Sequence, residues 1–353
     1  MATKRALEER AKTVEEMLGV DLSGIFNNFV KRLRDVNNIK GHPNSLQARR
    51  DLRSFILDNP RLVAQQLYLF ISNRRRFPIS LANHTLRQLV RSKSRGGNCS
   101  SFTPLYIGLL EKLTNEFNLI SKKGILLLSA KVLEVGRVVL GTDAYLMSVS
   151  GHITPVVYIK GNRNRRIYDP TLQVEDAQHV GGEWEKEFLL ADQLSAEAHT
   201  TFDKKQVSKS LDILSEAIDL LPEYALLYCN RARTYRLIND FDNSERDCRR
   251  AIELEPKRVL PWYQFGLLRV TQGRYEDALR YFENALEINP DSVDSLNSKG
   301  ATLIELGRRE ESLECYSEAQ KKFKEVESKG LQFLFFPGVG ALIERNINLA
   351  KLN

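Results

Sequence analysis

The chain has 353 residues, 42% of them hydrophobic and 27% charged, with a formal net charge of +7. That length suits about two domains, and the apolar fraction excludes global disorder. The cysteines, Cys99, Cys229, Cys248 and Cys315, are too scattered for a disulfide framework and form no CxxC pair, which excludes a zinc ribbon.

The N-terminal stretch Met1–Arg10 is charged and lacks the apolar core of a secretory signal. No run approaches the ~18 apolar residues of a membrane span. Together these predict a cytoplasmic protein with no membrane span. The positive charge is uneven. Residues 1–186 hold 29 Lys and Arg against 17 Asp and Glu, a net +12, whereas residues 187–353 are net −5. A basic front half fits nucleic acid or an acidic protein; it equally fits a solvated face or complementarity to the acidic second half. No nucleic-acid-binding motif accompanies the charge, so a nucleic-acid partner is not expected.

Residues 1–95 read as helical. One apolar stripe runs Leu22, Ile25, Phe26, Phe29, Val30, Leu33; another runs Phe55, Ile56, then Leu62, Val63, Leu67, Tyr68 and Ile71 past Pro60. Phe102, Leu105, Tyr106, Leu109, Leu110, Leu113 and Phe117 keep helical spacing, which predicts a buried helix beginning just after Cys99, with Pro104 in its first turn. The pattern then changes to short β-branched runs, 124–128, 132–139, 144–149, 155–159 and 166–168, which read as strands. The last two form a hairpin around the basic turn at Gly161-Asn162. Residues 172–186, with Gly181-Gly182, read as a connector.

Three residues in this front half carry chemistry. Cys99 follows Gly96-Gly97-Asn98, His152 follows Gly151 at the start of a strand, and Asp169 stands in Ile167-Tyr168-Asp169-Pro170-Thr171. A thiol at a helix N-terminus is acidified. An imidazole beside it holds the thiolate and protonates a leaving amine, and a carboxylate fixes the imidazole's tautomer. The predicted topology sets His152 and Asp169 on adjacent strands, with Cys99 arriving from the helix that packs on them.

Cys99, His152 and the Asp-Pro-Thr segment, in that order, resemble the transglutaminase-like cysteine enzymes, which are related to papain. The resemblance covers about residues 60–175. It implies an α+β domain, a helical N-terminal part plus an antiparallel sheet, with a catalytic Cys99–His152–Asp169 triad and no cofactor or metal. Two positions depart from that family, Ser100 and Thr154, where many members carry aromatics. Their absence shifts the expectation from crosslinking towards hydrolysis of a peptide or amide.

From residue 187 the chain is helical and periodic. Segments 225–258, 259–292 and 293–326 are each 34 residues long and repeat Ala232/Gly266/Gly300, Ala251/Ala285/Ala319 and Pro256/Pro290 in phase. They resemble the tetratricopeptide repeat, a helix–turn–helix unit that stacks into an α–α solenoid with a concave groove. A degenerate copy is read at 191–224 from Ala217, Ile218 and Pro222. The tail, 327–353, is expected to cap the last repeat.

The expected division is therefore 1–60 helical, 61–186 transglutaminase-like, 187–326 repeats and 327–353 cap. Fusion of these two domain types resembles known bacterial proteins.

The resemblance to tetratricopeptide repeats implies a protein or peptide partner in the groove, expected to touch Leu226, Cys229, Leu260, Tyr263 and Leu267, with Arg233 and Arg236 favouring an acidic residue. Contact between the repeats and the front domain is a further expectation. One version of these repeats clamps a C-terminal carboxylate of chaperones. Asn230 matches that clamp, but Ser195, His199, Leu260 and Gln264 stand where its other polar residues belong, so clamping is not expected. The functional expectation is a thiol acyl-transfer enzyme with an interaction module. The alternative is a non-catalytic interaction or scaffold protein on a degenerate transglutaminase-like domain.

Overall fold

The computed structural model describes residues 12–40, 45–72, 86–91, 99–119, 128–140, 143–146, 152–159, 164–169, 174–175, 178–185, 187–203, 206–328 and 338–352. Two compact units result, the first holding residues up to Ala144 and His152–Ala196, the second built on Glu197–Asn353.

In the first unit, helices α1 (Val14–Leu18), α2 (Ser23–Val36), α3 (Leu46–Asp58), α4 (Pro60–Ile71) and α5 (Leu86–Arg91) precede a long helix, α6 (Cys99–Glu116). The short α1 is fixed at both ends. Thr13 and Glu16 cap each other's backbone, and Gly19 ends the helix in the left-handed region, φ 59°. The α6 residues Phe102, Leu105, Tyr106, Leu109 and Leu113 are fully buried, as their spacing requires. Tyr106 reaches this depth because its hydroxyl donates to the Ala64 carbonyl at 2.9 Å. Gly108 lets α6 approach its neighbours closely; a Cβ there would lie 2.7 Å from Leu22 Cδ1. The second stripe is shifted from the expected one. Val63, Leu67, Tyr68 and Ile71 are buried, but Leu62 is exposed. Pro104 lies six residues into α6 rather than in its first turn, because the helix begins at Cys99 itself.

The sheet contains β1 (Leu128–Leu140), β2 (Asp143–Leu146), β3 (His152–Ile159), β4 (Asn164–Asp169), β5 (Val174–Glu175) and β6 (Gln178–Trp184), in the order β2-β1-β3-β4-β5, with β6 also on β1. β3 runs antiparallel to β1, from Leu128↔Ile159 to Val135↔His152, and β4 antiparallel to β3, from Ile159↔Asn164 to Val156↔Ile167. Helix α6 packs against β1 and β3.

The stretch read as a connector, 172–186, instead holds β5 and β6. Gly181 and Gly182 pair with Val135 and Glu134, and the register shifts between Val135 and Arg137. Two glycines read locally as a break, but the free edge of β1 supplies backbone partners that override their weak strand preference.

The second unit begins within α7 (Glu187–Asp203) and runs on as stacked helix pairs: α7 with α8 (Val207–Leu220), α9 (Ala225–Leu237) with α10 (Phe241–Leu254), α11 (Val259–Thr271) with α12 (Tyr275–Ile288), and α13 (Val293–Glu305) with α14 (Arg309–Ser328). Small residues on α9, α11 and α13 admit a thiol or an aromatic from the second helix of the pair. A Cβ on Gly266 would sit 2.5 Å from Phe282 Cε1, and one on Gly300 would sit 2.8 Å from Tyr316 Cε1. A side-chain tie recurs twelve residues apart. Ser210, Ser244 and Ser312 donate to the carbonyls of Ala198, Ala232 and Gly300 at 2.8, 2.9 and 2.8 Å. Ala278 stands at the corresponding place in 259–292. There Phe265 stacks on Tyr281 at 4.1 Å, and Arg269 lies over the Phe265 ring at 4.8 Å.

Beyond α14, helix α15 (Val339–Leu352) buries Val339, Ile343, Ile347 and Ala350 against Val293, Leu296, Tyr316 and Ala319. Asn346 Nδ2 donates to Asn297 Oδ1 at 2.9 Å. α15 contacts α13 and α14 just as α13 contacts α11 and α12, so it stands where the first helix of another repeat would stand.

Candidate functional site

In a repeat stack of this kind the first helices line the concave face. Here these are α9, α11 and α13. Of the five groove residues expected from the sequence, Leu226, Tyr263 and Leu267 are half-buried. Cys229 is fully buried and Leu260 is 6% exposed. Those two side chains face the helix packing rather than the groove. The reason is physical: a small thiol and a helix-start leucine fill space between stacked helices more favourably than they meet water. Burial pushes the Cys229 thiol well up, and the Cys248 thiol to about 12, so both are inert core groups.

Arg233 and Arg236, one turn apart on α9, are also half-buried. Neither forms an ion pair among the described residues. The Arg236 guanidinium reaches only Thr271 Oγ1, at a long 3.4 Å, and its Nε is buried without a partner. Burial and the neighbouring Arg233 charge lower its pKa. Arg231 and Arg269 behave differently. Arg231 grips Asp247 with two bonds, at 2.7 and 2.9 Å, and Arg269 meets Glu245 at 2.9 Å.

Two polar groups escaped the sequence reading. Asp294, at the start of α13, has no hydrogen bond or ion pair among the described residues, and burial raises its pKa to about 6. Ser298, one turn on, donates to the Tyr263 hydroxyl at 3.4 Å. Burial pushes the Tyr263 phenol up to about 12, with Asp294 adding to the shift and Arg236 and Arg233 opposing it. The signal for both residues was present. They occupy the second and sixth positions of repeat 293–326, the offsets that hold Leu260 and Gln264 in the preceding repeat.

In the first unit, the structure places the backbone of the three expected catalytic residues. Cys99 is the first residue of α6, His152 the first of β3 and Asp169 the last of β4. β3 and β4 are neighbours, and α6 packs on β3. Their side chains, and the flanking residues 92–98, 147–151 and 170–173, lie outside the described ones. Thr154, where an aromatic is common in the resembled family, is fully buried.

The tetratricopeptide repeat family matches residues 225–258 and 263–325. These residues carry tetratricopeptide repeats. Among similar proteins, serine/threonine-protein phosphatase 5 of Rattus norvegicus is 29% identical over 105 residues, 30% of this chain and 21% of that protein. The small glutamine-rich tetratricopeptide repeat-containing protein 2 of Saccharomyces cerevisiae is 26% identical over 103 residues, 29% of this chain and 30% of that one. A heat-shock protein cognate co-chaperone, sgt12 of Aspergillus fumigatus, is 26% identical over 110 residues, covering 31% and 32%. The chain thus spans between a fifth and a third of the length of these relatives. Among solved structures, that of MamA aligns with a TM-score of 0.34 at 21% identity over 39% of this chain and 81% of its own. The first tetratricopeptide domain of Spaghetti (RPAP3), solved with an HSP90 peptide, aligns with a TM-score of 0.31 at 23% identity, covering 33% and 93%. No helix among the described residues is long and apolar enough to cross a membrane.

Proposed function

We propose that this chain is a protein-interaction protein whose repeats 225–326 hold a peptide segment of a partner in the concave groove. The observation that supports this most is the unsatisfied character of the groove. Half-buried Leu226, Tyr263 and Leu267 stand on the first helices, Leu267 one turn on from Tyr263, and the same helices carry Arg233, Arg236 and Asp294, which no described residue pairs with an opposite charge. Desolvated, unpaired polar groups are costly in a folded protein unless something else completes them. The relative named a co-chaperone is in keeping with a protein partner. The carboxylate clamp is not the mode, because Leu260 and Gln264 replace its cations.

Groove substitution tests the reading. Leu267→Glu should abolish capture of a partner peptide while leaving the helical circular dichroism unchanged. Undiminished capture would refute it.

A second reading keeps the first unit as a thiol acyl-transfer enzyme, acting through Cys99, His152 and Asp169 on a peptide or amide. In that reading the thiolate adds to the carbonyl and expels the amine, which takes its proton from His152; water then cleaves the thioester. What favours it is the backbone arrangement: a helix start, a strand start and a neighbouring strand end, with the helix packed on that sheet. A thiol-reactive probe decides. Labelling of Cys99 faster than free cysteine at neutral pH, and lost in His152→Ala, supports the enzyme. Slow labelling leaves the first unit non-catalytic.

A further inference from the structure

We propose that the groove selects a dipolar peptide: an acidic side chain on Arg233 and Arg236, a basic side chain on Asp294, and an apolar side chain between them over Tyr263 and Leu267. This deepens the groove-binding reading above and rests on it.

Arg233 and Arg236 present two guanidinium groups of like charge on one face of α9. Neither has a carboxylate within reach among the described residues, and Arg236 Nε is buried with no acceptor. Two cations one turn apart repel each other, and burial increases the cost. An acidic ligand group removes both costs, and a planar guanidinium can hold it with two bonds. Asp294 poses the same problem with opposite sign. It is a half-buried carboxylate with no cation paired to it among the described residues, one turn before the Ser298 hydroxyl that bonds to Tyr263; burial raises its pKa. A ligand Lys or Arg would restore it. Neither charge can serve the other within the chain, since no ion pair between them forms.

Tyr263 connects the two ends. Its hydroxyl accepts from Ser298, one turn along α13 from Asp294, at 3.4 Å, and α11 itself packs on α9, which carries Arg233 and Arg236; all three charges act on its phenol. The ring and Leu267 give an apolar floor between them. Packed helices lie about 8–10 Å apart, and α9 to α13 is two such steps, roughly 16–20 Å. An extended peptide advances about 3.3 Å per residue, so the two ligand charges are expected about five to six residues apart. A peptide carrying only acidic groups answers half of the groove.

The test is selection of random twelve-residue peptides, displayed on phage, against the immobilised full chain. Synthetic copies of the winners are then measured by fluorescence anisotropy. The expected winners carry an acidic and a basic residue about five to six apart. Replacing either by Gln should weaken binding about tenfold or more, and raised salt should weaken it further. Arg233→Gln and Arg236→Gln should cost the parent peptide as much as losing its acidic residue, with no added loss when both changes are combined. Asp294→Asn should behave likewise towards the basic residue. Helical circular dichroism checks each variant; Arg233→Gln carries the cationic arm if Arg236→Gln fails to fold.

Winners without a charge pair, or affinities indifferent to all three substitutions, would overturn the dipolar preference. If such winners still lose binding in Leu267→Glu, the groove reading stands without it. If nothing is enriched over bare support, or Leu267→Glu changes nothing, both fall together.

Discussion

Asp294 is the residue whose environment most contradicts its chemistry. A carboxylate at a helix start normally stays ionised, because the exposed N–H groups there favour negative charge. Here desolvation prevails and its pKa rises from 3.8 to about 6. A folded-state value above the unfolded one means that the native state binds the proton more tightly. No penalty exists below about pH 4. The penalty grows as pH climbs towards 6 and is complete above it. Asp294→Asn is therefore expected to raise the melting temperature at pH 7, by an amount equivalent to about 1–2 kcal/mol after allowance for partial exposure, and to change nothing near pH 3.5. Thermal melts across that range check it; a variant less stable than the parent at pH 7 would show the carboxylate to be satisfied. Asp247 offers the opposite case. It is 4% exposed and held by two bonds from Arg231. Asp247→Ala leaves a half-buried guanidinium unpaired and should cost about 2–4 kcal/mol, measured by urea unfolding.

The helix pairs depend on close approach at one small residue each. In 259–292 the ring of Phe282 occupies the space beside Gly266. Gly266→Ala drives a methyl into that ring, so the gain in helix propensity is outweighed by overpacking of about 1–3 kcal/mol. Phe282→Leu in the same chain should recover part of the loss, and a double-mutant cycle reads the coupling.

These elements show what was legible in the sequence. The 34-residue period exposed the repeats because each of the three copies carries a small residue and an alanine at the same offsets, and two of them a proline. The recurring serine tie of Ser210, Ser244 and Ser312 was equally periodic but escaped notice, since a hydroxyl bonded to a carbonyl leaves no apolar signature. β6 was missed because Gly181-Gly182 has no strand preference of its own and is held by β1. In the groove, Leu226, Tyr263 and Leu267 were legible as apolar surface. Cys229 was not, because facing direction within a helix stack depends on neighbours as well as on offset. Asp294 and Arg236 could be named from sequence, but that no described residue pairs either with an opposite charge is a property only of the folded chain.

For the chain as a whole, stability of the repeat unit is shared between adjacent pairs, and its last member is covered by α15. Removal of residues 338–353 would uncover Val293, Leu296, Tyr316 and Ala319 together. The expected result is a lower unfolding midpoint and concentration-dependent aggregation, followed by light scattering. A truncated chain that stays monomeric and equally stable would show the cover to be dispensable. The cover has a further property. The surface that α15 grips on the last repeat includes Leu296, Tyr316 and Ala319, whose counterparts one period earlier are Trp262, Phe282 and Ala285, and one before that Tyr228, Cys248 and Ala251. Because α15 docks on positions that are apolar in every copy and share one alanine, it is a terminator of general fit, not a plug cut for one socket. The number of repeats is thereby uncoupled from how the array ends: a copy of 259–292 inserted after residue 292 would lengthen the solenoid and still meet the same closing helix.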